Sequence, residues 1–115
     1  MDKTAQETLT ALIDELETLL RILSRDAACP WTEHFATALR RARSLQAEGA
    51  TREELERLSR LMIGVYGGAG SFGDYAPIRA HQEEGRWTWT TIPGMERFDE
   101  IAREVYRLAV DLRQR

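Results

Sequence analysis

Apolar residues recur at spacings of three and four in four stretches of the chain, the spacing that places side chains on one helix face. These stretches predict helices near residues 4–24, 31–47, 52–66 and 95–113. Four such stripes joined by mostly short breaks predict a mainly α fold, a four-helix bundle built from the single domain 1–115. The stripes consist of Leu9, Leu12, Ile13, Leu16, Leu19, Leu20 and Leu23; Trp31, Phe35, Ala38, Leu39, Ala42 and Leu45; Leu55, Leu58, Leu61, Met62, Val65 and Tyr66; and Phe98, Ile101, Ala102, Val105, Leu108, Ala109 and Leu112.

Local signals set the helix boundaries. Pro30 suits the first turn of the second helix, and Gly49 can take the left-handed conformation that ends it. Thr51 and Glu54 have the spacing of a capping box, in which each side chain accepts a hydrogen bond from the other residue's backbone amide. The third helix must end at Gly67 and Gly68.

Between the third and fourth helices, glycine and proline replace the regular apolar spacing. We expect a Gly-rich loop over residues 67–74, followed by a short β-hairpin that pairs 75–80 with 86–91 around a loop at 81–85. Trp87 and Trp89 then share one face of the hairpin. A two-stranded hairpin is marginal alone, so this face must pack on something. The sequence leaves open whether it packs on the helices or on a partner.

The run Gly68-Ala69-Gly70-Ser71-Phe72-Gly73 has the G-x-G-x-x-G spacing of dinucleotide-binding loops. Such loops lie between a strand and a helix, whereas here a helix comes first and Pro77 follows. The pattern therefore favours a helix cap and a tight turn, with Ser71 and Asp74 bonded to nearby backbone amides. The alternative is a small enzyme or nucleotide-binding protein that uses residues 67–74.

Charge and composition narrow the partners and the compartment. The net charge of −3 argues against nucleic acid, because phosphate contacts need clustered cations. No apolar run approaches the length that a bilayer requires, and residues 1–25 lack the pattern of a signal peptide. A single cysteine, Cys29, cannot form an internal disulfide, which is typical of a reducing compartment. We therefore expect a cytoplasmic protein that binds neither membrane nor nucleic acid.

The chain has few groups suited to catalysis. His34 and His81 are its two histidines, and neither lies in a motif that pairs it with a nucleophile. His81, Glu83 and Glu84 fit a polar hairpin tip better than a standard metal site. The sequence therefore predicts no catalytic residue, no metal site and no cofactor.

The run from Leu61 to Asp74, which ends a helix in Gly-Gly-Ala-Gly-Ser and continues to an aspartate, resembles small bacterial domains of unknown function. Pro30-Trp31, with Phe35, Leu39 and Arg40-Arg41, is similar to the second helix of those proteins. The resemblance covers about residues 30–75, and it departs at Gly73, where asparagine is expected. Such small acidic helical proteins resemble the immunity proteins encoded beside secreted bacterial toxins, and the resemblance implies no enzymatic residues.

These observations predict a protein-binding module, specifically an immunity protein that occludes the active site of a toxin domain. Aromatic side chains are enriched among interface anchors, and acidic ones attract the cations of a substrate pocket. Homodimer formation is compatible with the same sequence. The expected partner-binding residues lie within 71–91 and are Ser71, Phe72, Asp74, Tyr75, Glu83, Glu84, Trp87 and Trp89.

Overall fold

Four helices and one antiparallel β-hairpin make up the residues that the structure, a computed structural model, describes, namely 3–68 and 70–114. The hairpin lies between the third and fourth helices, so the prediction of a mainly helical fold with four helices and an inserted hairpin is confirmed. In chain order the elements are α1 (Lys3–Leu23), α2 (Thr32–Glu48), α3 (Arg52–Ile63), β1 (Ile78–Glu83), β2 (Arg86–Thr91) and α4 (Phe98–Gln114).

Two helix ends differ from the prediction by three residues, because the chain turns there to reach the core. α3 ends at Ile63 rather than 66, and the Val65 carbonyl accepts a hydrogen bond from the Phe72 amide at 2.8 Å. α4 begins at Phe98 rather than 95. Before it, the Met95 amide donates to the Ile92 carbonyl at 3.0 Å, a tight turn that seats Met95 in the interior.

The first strand and the hairpin loop were predicted wrongly. β1 runs from Ile78 to Glu83 instead of 75–80, and the loop is reduced to Glu84 and Gly85. Both residues have positive φ, 52° and 78°. This is the backbone of a type I′ turn, whose twist matches that of the paired strands. β2 has the predicted bounds.

The predicted Gly-rich loop, residues 67–74, includes Ala69, which lies outside the described residues. Gly68 and Gly70, on either side of it, have φ values of 92° and 75°, which favour glycine. Phe72–Asp74 form one turn of 3-10 helix.

The four helices pack around one apolar core. α1 and α3 each lie against both α2 and α4, so the helices follow one another around the core in the order α1, α2, α3, α4. The Ser59 hydroxyl is fully buried and donates to the Ala109 carbonyl at 2.6 Å, which joins α3 to α4. Side chains with little or no exposure fill the interior, among them Leu9, Leu12, Leu16, Leu19, Leu23, Phe35, Ala38, Ala42, Leu58, Met62, Val105, Ala109 and Leu112.

The predicted capping box opens α3. The Glu54 amide donates to the Thr51 hydroxyl at 3.1 Å, and the Thr51 amide donates to the Glu54 carboxylate at 3.0 Å. The backbone hydrogen bond from Thr51 lowers the pKa of the Glu54 carboxyl below its ordinary value. The box therefore satisfies two amides that the helix itself leaves without partners.

The hairpin stands apart from the helices. Neither strand brings a Cα atom within 8 Å of any helix of the described chain. The molecule is accordingly elongated, with extents of 58 × 25 × 20 Å. The hairpin is thus held by its two ends, at Tyr75–Pro77 and at Ile92, rather than by packing along its length.

This separation predicts a contrast between two substitutions. Leu12→Ala removes a fully buried side chain and should lower the free energy of unfolding by about 2–5 kcal/mol. Trp89→Ala removes a larger side chain that is 64% exposed, and should lower it by less than about 1 kcal/mol. Urea titrations monitored by helical circular dichroism measure both changes. A loss for Trp89→Ala as large as that for Leu12→Ala would show that the hairpin packs on the helices.

Candidate functional site

The two faces of the hairpin differ in chemistry. Residues paired across antiparallel strands point to the same side, and Ala80 pairs with Trp89 while Gln82 pairs with Trp87. One face therefore carries Trp87 and Trp89 together with Ala80 and Ile78, and we call these four residues the tryptophan face. The opposite face is polar and carries Arg79, His81, Glu83, Arg86, Thr88 and Thr90.

The tryptophan face is open to solvent. Trp87 is 66% exposed, Trp89 is 64% exposed and Ile78 is 44% exposed. The sequence left open whether the tryptophans pack on the helices, and in the structure they do not. The tryptophan face is therefore free to contact a partner.

On the polar face, the Thr88 hydroxyl and the His81 Nε2 atom are 2.7 Å apart, which ties the middle of β2 to β1. The Glu83 carboxylate lies 3.9 Å from the same histidine nitrogen. Glu83 and Glu84 are exposed at the tip. Arg86 is the cross-strand partner of Glu83, so two carboxylates and one guanidinium give the far end of the hairpin one net negative charge.

Two predicted partner-binding residues belong to the helical body instead. Phe72 is only 2% exposed, and its ring lies 4.7 Å from that of Phe35 and 5.1 Å from that of Tyr66, measured between centroids. Tyr75 is half-buried, with its ring stacked on Phe72 at 6.3 Å. Phe72 offers no surface to a partner, because it anchors the start of the hairpin in the core.

Tyr75 is fixed by a second contact, which sequence reasoning did not find. Its hydroxyl donates to the Asp26 carboxylate at 2.6 Å, across 49 positions of sequence. Burial, followed by this hydrogen bond, raises the pKa of the Tyr75 hydroxyl well above its ordinary value of 10.0. The pair joins the segment after α1 to the residues that lead into β1.

Asp74 acts as the predicted loop clamp. Its carboxylate accepts a hydrogen bond from the Gly70 amide at 2.8 Å. The predicted contribution of the Ser71 side chain is wrong, since its buried hydroxyl has no hydrogen-bond partner among the described residues. Ser71 contributes through its backbone, whose amide donates to the Gly68 carbonyl at 3.2 Å.

Gly73, where the family resemblance leads one to expect asparagine, sits against backbone. A Cβ atom at this position would lie 2.1 Å from the Tyr66 carbonyl oxygen. No side chain fits there unless the backbone shifts. The glycine therefore allows the chain to fold back over Tyr66 and place Phe72 in the core.

The glycine motif does not have the surroundings of a dinucleotide-binding loop. It follows α3 and leads into one turn of 3-10 helix, and the Gly70 amide is already bonded to Asp74. Within residues 3–68 and 70–114, no three His, Cys, Asp or Glu residues are grouped so as to hold a metal ion. No helix in this part of the chain is both long and apolar enough to cross a bilayer.

Sequence reasoning missed Ile78 as part of the exposed apolar face. Ile78 and Ala80 alternate with Arg79 and His81, a period-two pattern that could have carried the first strand past residue 80. Glu84-Gly85 also suits a two-residue turn, because glycine accepts positive φ at no cost.

A family model described as a domain of unknown function (DUF6966) matches residues 24–85, more than half of the chain. The chain therefore belongs to this family, and the resemblance to a family of unknown function is confirmed. The match covers α2, α3, the glycine segment and β1, whereas Trp87 and Trp89 follow its last residue. Comparison with curated proteins and with solved structures found no match.

The Asp74 clamp predicts a modest loss of stability on substitution. Asp74→Ala removes the acceptor of the Gly70 amide and should lower the free energy of unfolding by about 1 kcal/mol. Asp74→Asn keeps an oxygen acceptor and should lose less. Chemical denaturation of the purified variants measures both, and an unchanged midpoint for Asp74→Ala would show that the clamp does not stabilise the fold.

The Tyr75 hydroxyl predicts a loss of stability in alkali. Because its folded pKa is raised, its contribution is fully present below the ordinary value of 10.0 and is lost as the pH rises above it. Wild-type protein should therefore become easier to unfold between about pH 9 and pH 11, and Tyr75→Phe should show a shallower decline. Urea midpoints across this range test the prediction. Equal slopes for the two proteins would contradict it.

Proposed function

We propose that this member of the DUF6966 family is a protein-binding module that docks on its partner through the tryptophan face of the hairpin. The observation that carries the proposal is the exposure of Trp87 and Trp89 on a hairpin that none of the described helices covers. Two-stranded hairpins are marginally stable alone, and exposed apolar surface is typical of interaction sites. Tryptophan is enriched among the residues that dominate binding energies.

The shape and charge of the hairpin indicate how it meets the partner. It projects from the helical body and is acidic at its tip, where Glu83 and Glu84 are exposed. A projecting element of this kind can enter a cleft, with the tryptophan face against one wall. The cleft should be lined by cations near its floor, because opposite charges speed association.

A basic cleft of this kind is what a toxin that acts on a polyanion presents to its substrate. The narrower proposal is therefore that the protein is an immunity protein and that its hairpin occludes the active site of a toxin domain. It is supported by the acidic tip, by the net charge of −3 and by the analogy with small acidic immunity proteins. The alternative is an enzyme or a nucleotide-binding protein. It predicts that calorimetry detects nucleotide binding and that substitution of Gly70 or Ser71 abolishes this binding.

The test uses a candidate toxin domain that is encoded beside this protein. The toxin domain is expressed alone and together with this protein. Co-expression should restore growth, and the two chains should elute as one complex. Replacing Trp87 and Trp89 by alanine should weaken the complex by about 2 kcal/mol or more, roughly thirtyfold in Kd. Tyr106→Ala is the matched control, since Tyr106 is also exposed but lies on α4, and it should leave the affinity unchanged.

The outcomes distinguish docking through the tryptophan face from the immunity role. A complex that tolerates loss of both tryptophans would move the docking surface elsewhere. No complex and no protection would contradict the immunity role. If the complex forms, replacing Glu83 and Glu84 by glutamine should slow association at low salt and have less effect at high salt. Equal association rates would show that the tip does not face cations.

A further inference from the structure

The outer edge of β2 presents unpaired backbone groups. The Ile92 amide donates to the Pro77 carbonyl at 2.8 Å, so residues 77 and 92 form a hydrogen-bonded pair at the base of the hairpin. Bonded pairs alternate along an antiparallel ladder, and the pairing of Ile78 with Thr91 is therefore not bonded. It follows that the N–H and C=O groups of Trp87, Trp89 and Thr91 point away from β1. We call these groups the β2 edge.

The β2 edge lacks the features that usually protect an exposed strand, such as several charges, a proline or a covering element. Arg86 is the charged residue of β2, which contains no proline. No described residue donates to or accepts from its outward groups. β1 is better protected, because it carries Arg79, His81 and Glu83 and because the Ile78 amide already donates to the Ala76 carbonyl at 2.9 Å.

We propose that the β2 edge pairs antiparallel with the β2 edge of a second copy of this chain, with Trp89 on the two-fold axis. This register brings all the outward groups of β2 into hydrogen bonds, since Trp87 then lies opposite Thr91 of the second copy. Any shift along the strand leaves some of them without partners. On the polar face Thr88 meets Thr90, so that no like charges oppose each other.

Charge complementarity supports the same register. With Trp89 on the axis, Arg86 lies opposite Ile92 of the second copy, and Glu84 in the turn therefore comes near the turn that contains Gly94. Gly94 lies against Arg25, whose Nε atom would be 2.9 Å from a Cβ atom placed on the glycine, and the Gly94 amide donates to the Glu96 carboxylate at 3.2 Å. Arg21, Arg25 and Arg97 line a shallow depression around this glycine together with Glu96. The Arg25 guanidinium has no hydrogen-bond or ion-pair partner among the described residues, and the acidic tip of the second copy would supply one.

Pairing through the β2 edge has a structural consequence for the tryptophan face. The two hairpins become one four-stranded sheet, which is more stable than a two-stranded one. Because the two-fold axis is perpendicular to the sheet, Trp87 and Trp89 of both copies lie on the same side. The dimer widens the tryptophan face but places each tip beside the second copy, so the monomer is the form whose tip would enter a partner's cleft.

Sedimentation equilibrium of the full chain tests the dimer directly. Wild type should change from the mass of one chain to that of two as concentration rises. Thr91→Pro removes an outward amide of β2 without breaking a bond inside the hairpin, and should raise the Kd of the dimer at least about tenfold. The matched control is Gln82→Pro, which removes an outward amide of β1 and should dimerise like wild type. A single-chain mass for wild type at every concentration up to about 1 mM would overturn the proposal.

Amide hydrogen exchange gives an answer that depends on no substitution. Raising the concentration should protect the amides of Trp87, Trp89 and Thr91 and leave those of Ala80 and Gln82 unprotected. A dimer that protects the β1 amides, or neither set, would place the interface elsewhere. A chain that stays monomeric yet binds a partner through its tryptophans would overturn the dimer and leave the proposed function standing.

The contribution of the tip is tested with Glu84→Asn, because Asn-Gly is the preferred sequence of a type I′ turn and the hairpin should be preserved or strengthened. The variant should still weaken the dimer about threefold or more at low salt and show less salt dependence than wild type. Unchanged dimerisation with unchanged salt dependence would contradict the register that places Glu84 near Arg25.

Discussion

The segment between α3 and α4 is fixed at both ends by side chains that lie in the helical core. Phe72 enters the aromatic cluster at one end, and Ile92 and Met95 are buried at the other. The amide of Ile92 closes the base by bonding to the carbonyl of Pro77. With its two ends held side by side, the intervening chain forms a hairpin, and neither of its strands lies against a described helix.

The aromatic residues of the segment are divided by this constraint. Phe72 and Tyr75 lie near the start of the segment and pack against the helical body, where the Tyr75 hydroxyl also donates to Asp26. Trp87 and Trp89 lie beyond them, on a hairpin that no helix within residues 3–68 and 70–114 covers. The proposed function follows from this division, because the apolar area that cannot be buried within the chain is available for burial against another molecule.

The helices were predictable because each one buries a regular stripe, and Thr51 and Glu54 marked the start of α3 by their spacing alone. The division of the aromatic residues was not predictable. Phe72 and Trp89 are both large aromatic residues in a glycine-rich segment, and nothing local says that one is buried and the other exposed. That outcome depends on tertiary contacts such as the one between Phe72 and Phe35, which lies on α2, far from Phe72 in the sequence.

The predicted bounds of β1 were wrong for a related reason. Residues 75–77 look extended, and Tyr75 favours strand, but the hydrogen bond to Asp26 holds this tyrosine against the body. Pairing can then begin only at Ile78. α3 also ends early, where the chain folds back and the Phe72 amide donates to the Val65 carbonyl while the Phe72 ring enters the core. In both places a tertiary contact overrides a local preference.

The central claim is that the tryptophan face is free in solution, and acrylamide quenching of tryptophan fluorescence tests it most directly. Trp31→Phe leaves Trp87 and Trp89 as the emitting residues. The measurement is made at low concentration without a partner. If the face is free, acrylamide should quench the fluorescence almost as strongly as that of a free tryptophan derivative, with emission at long wavelength. Blue-shifted emission that resists the quencher would show that the tryptophans are buried within the chain and would contradict the account.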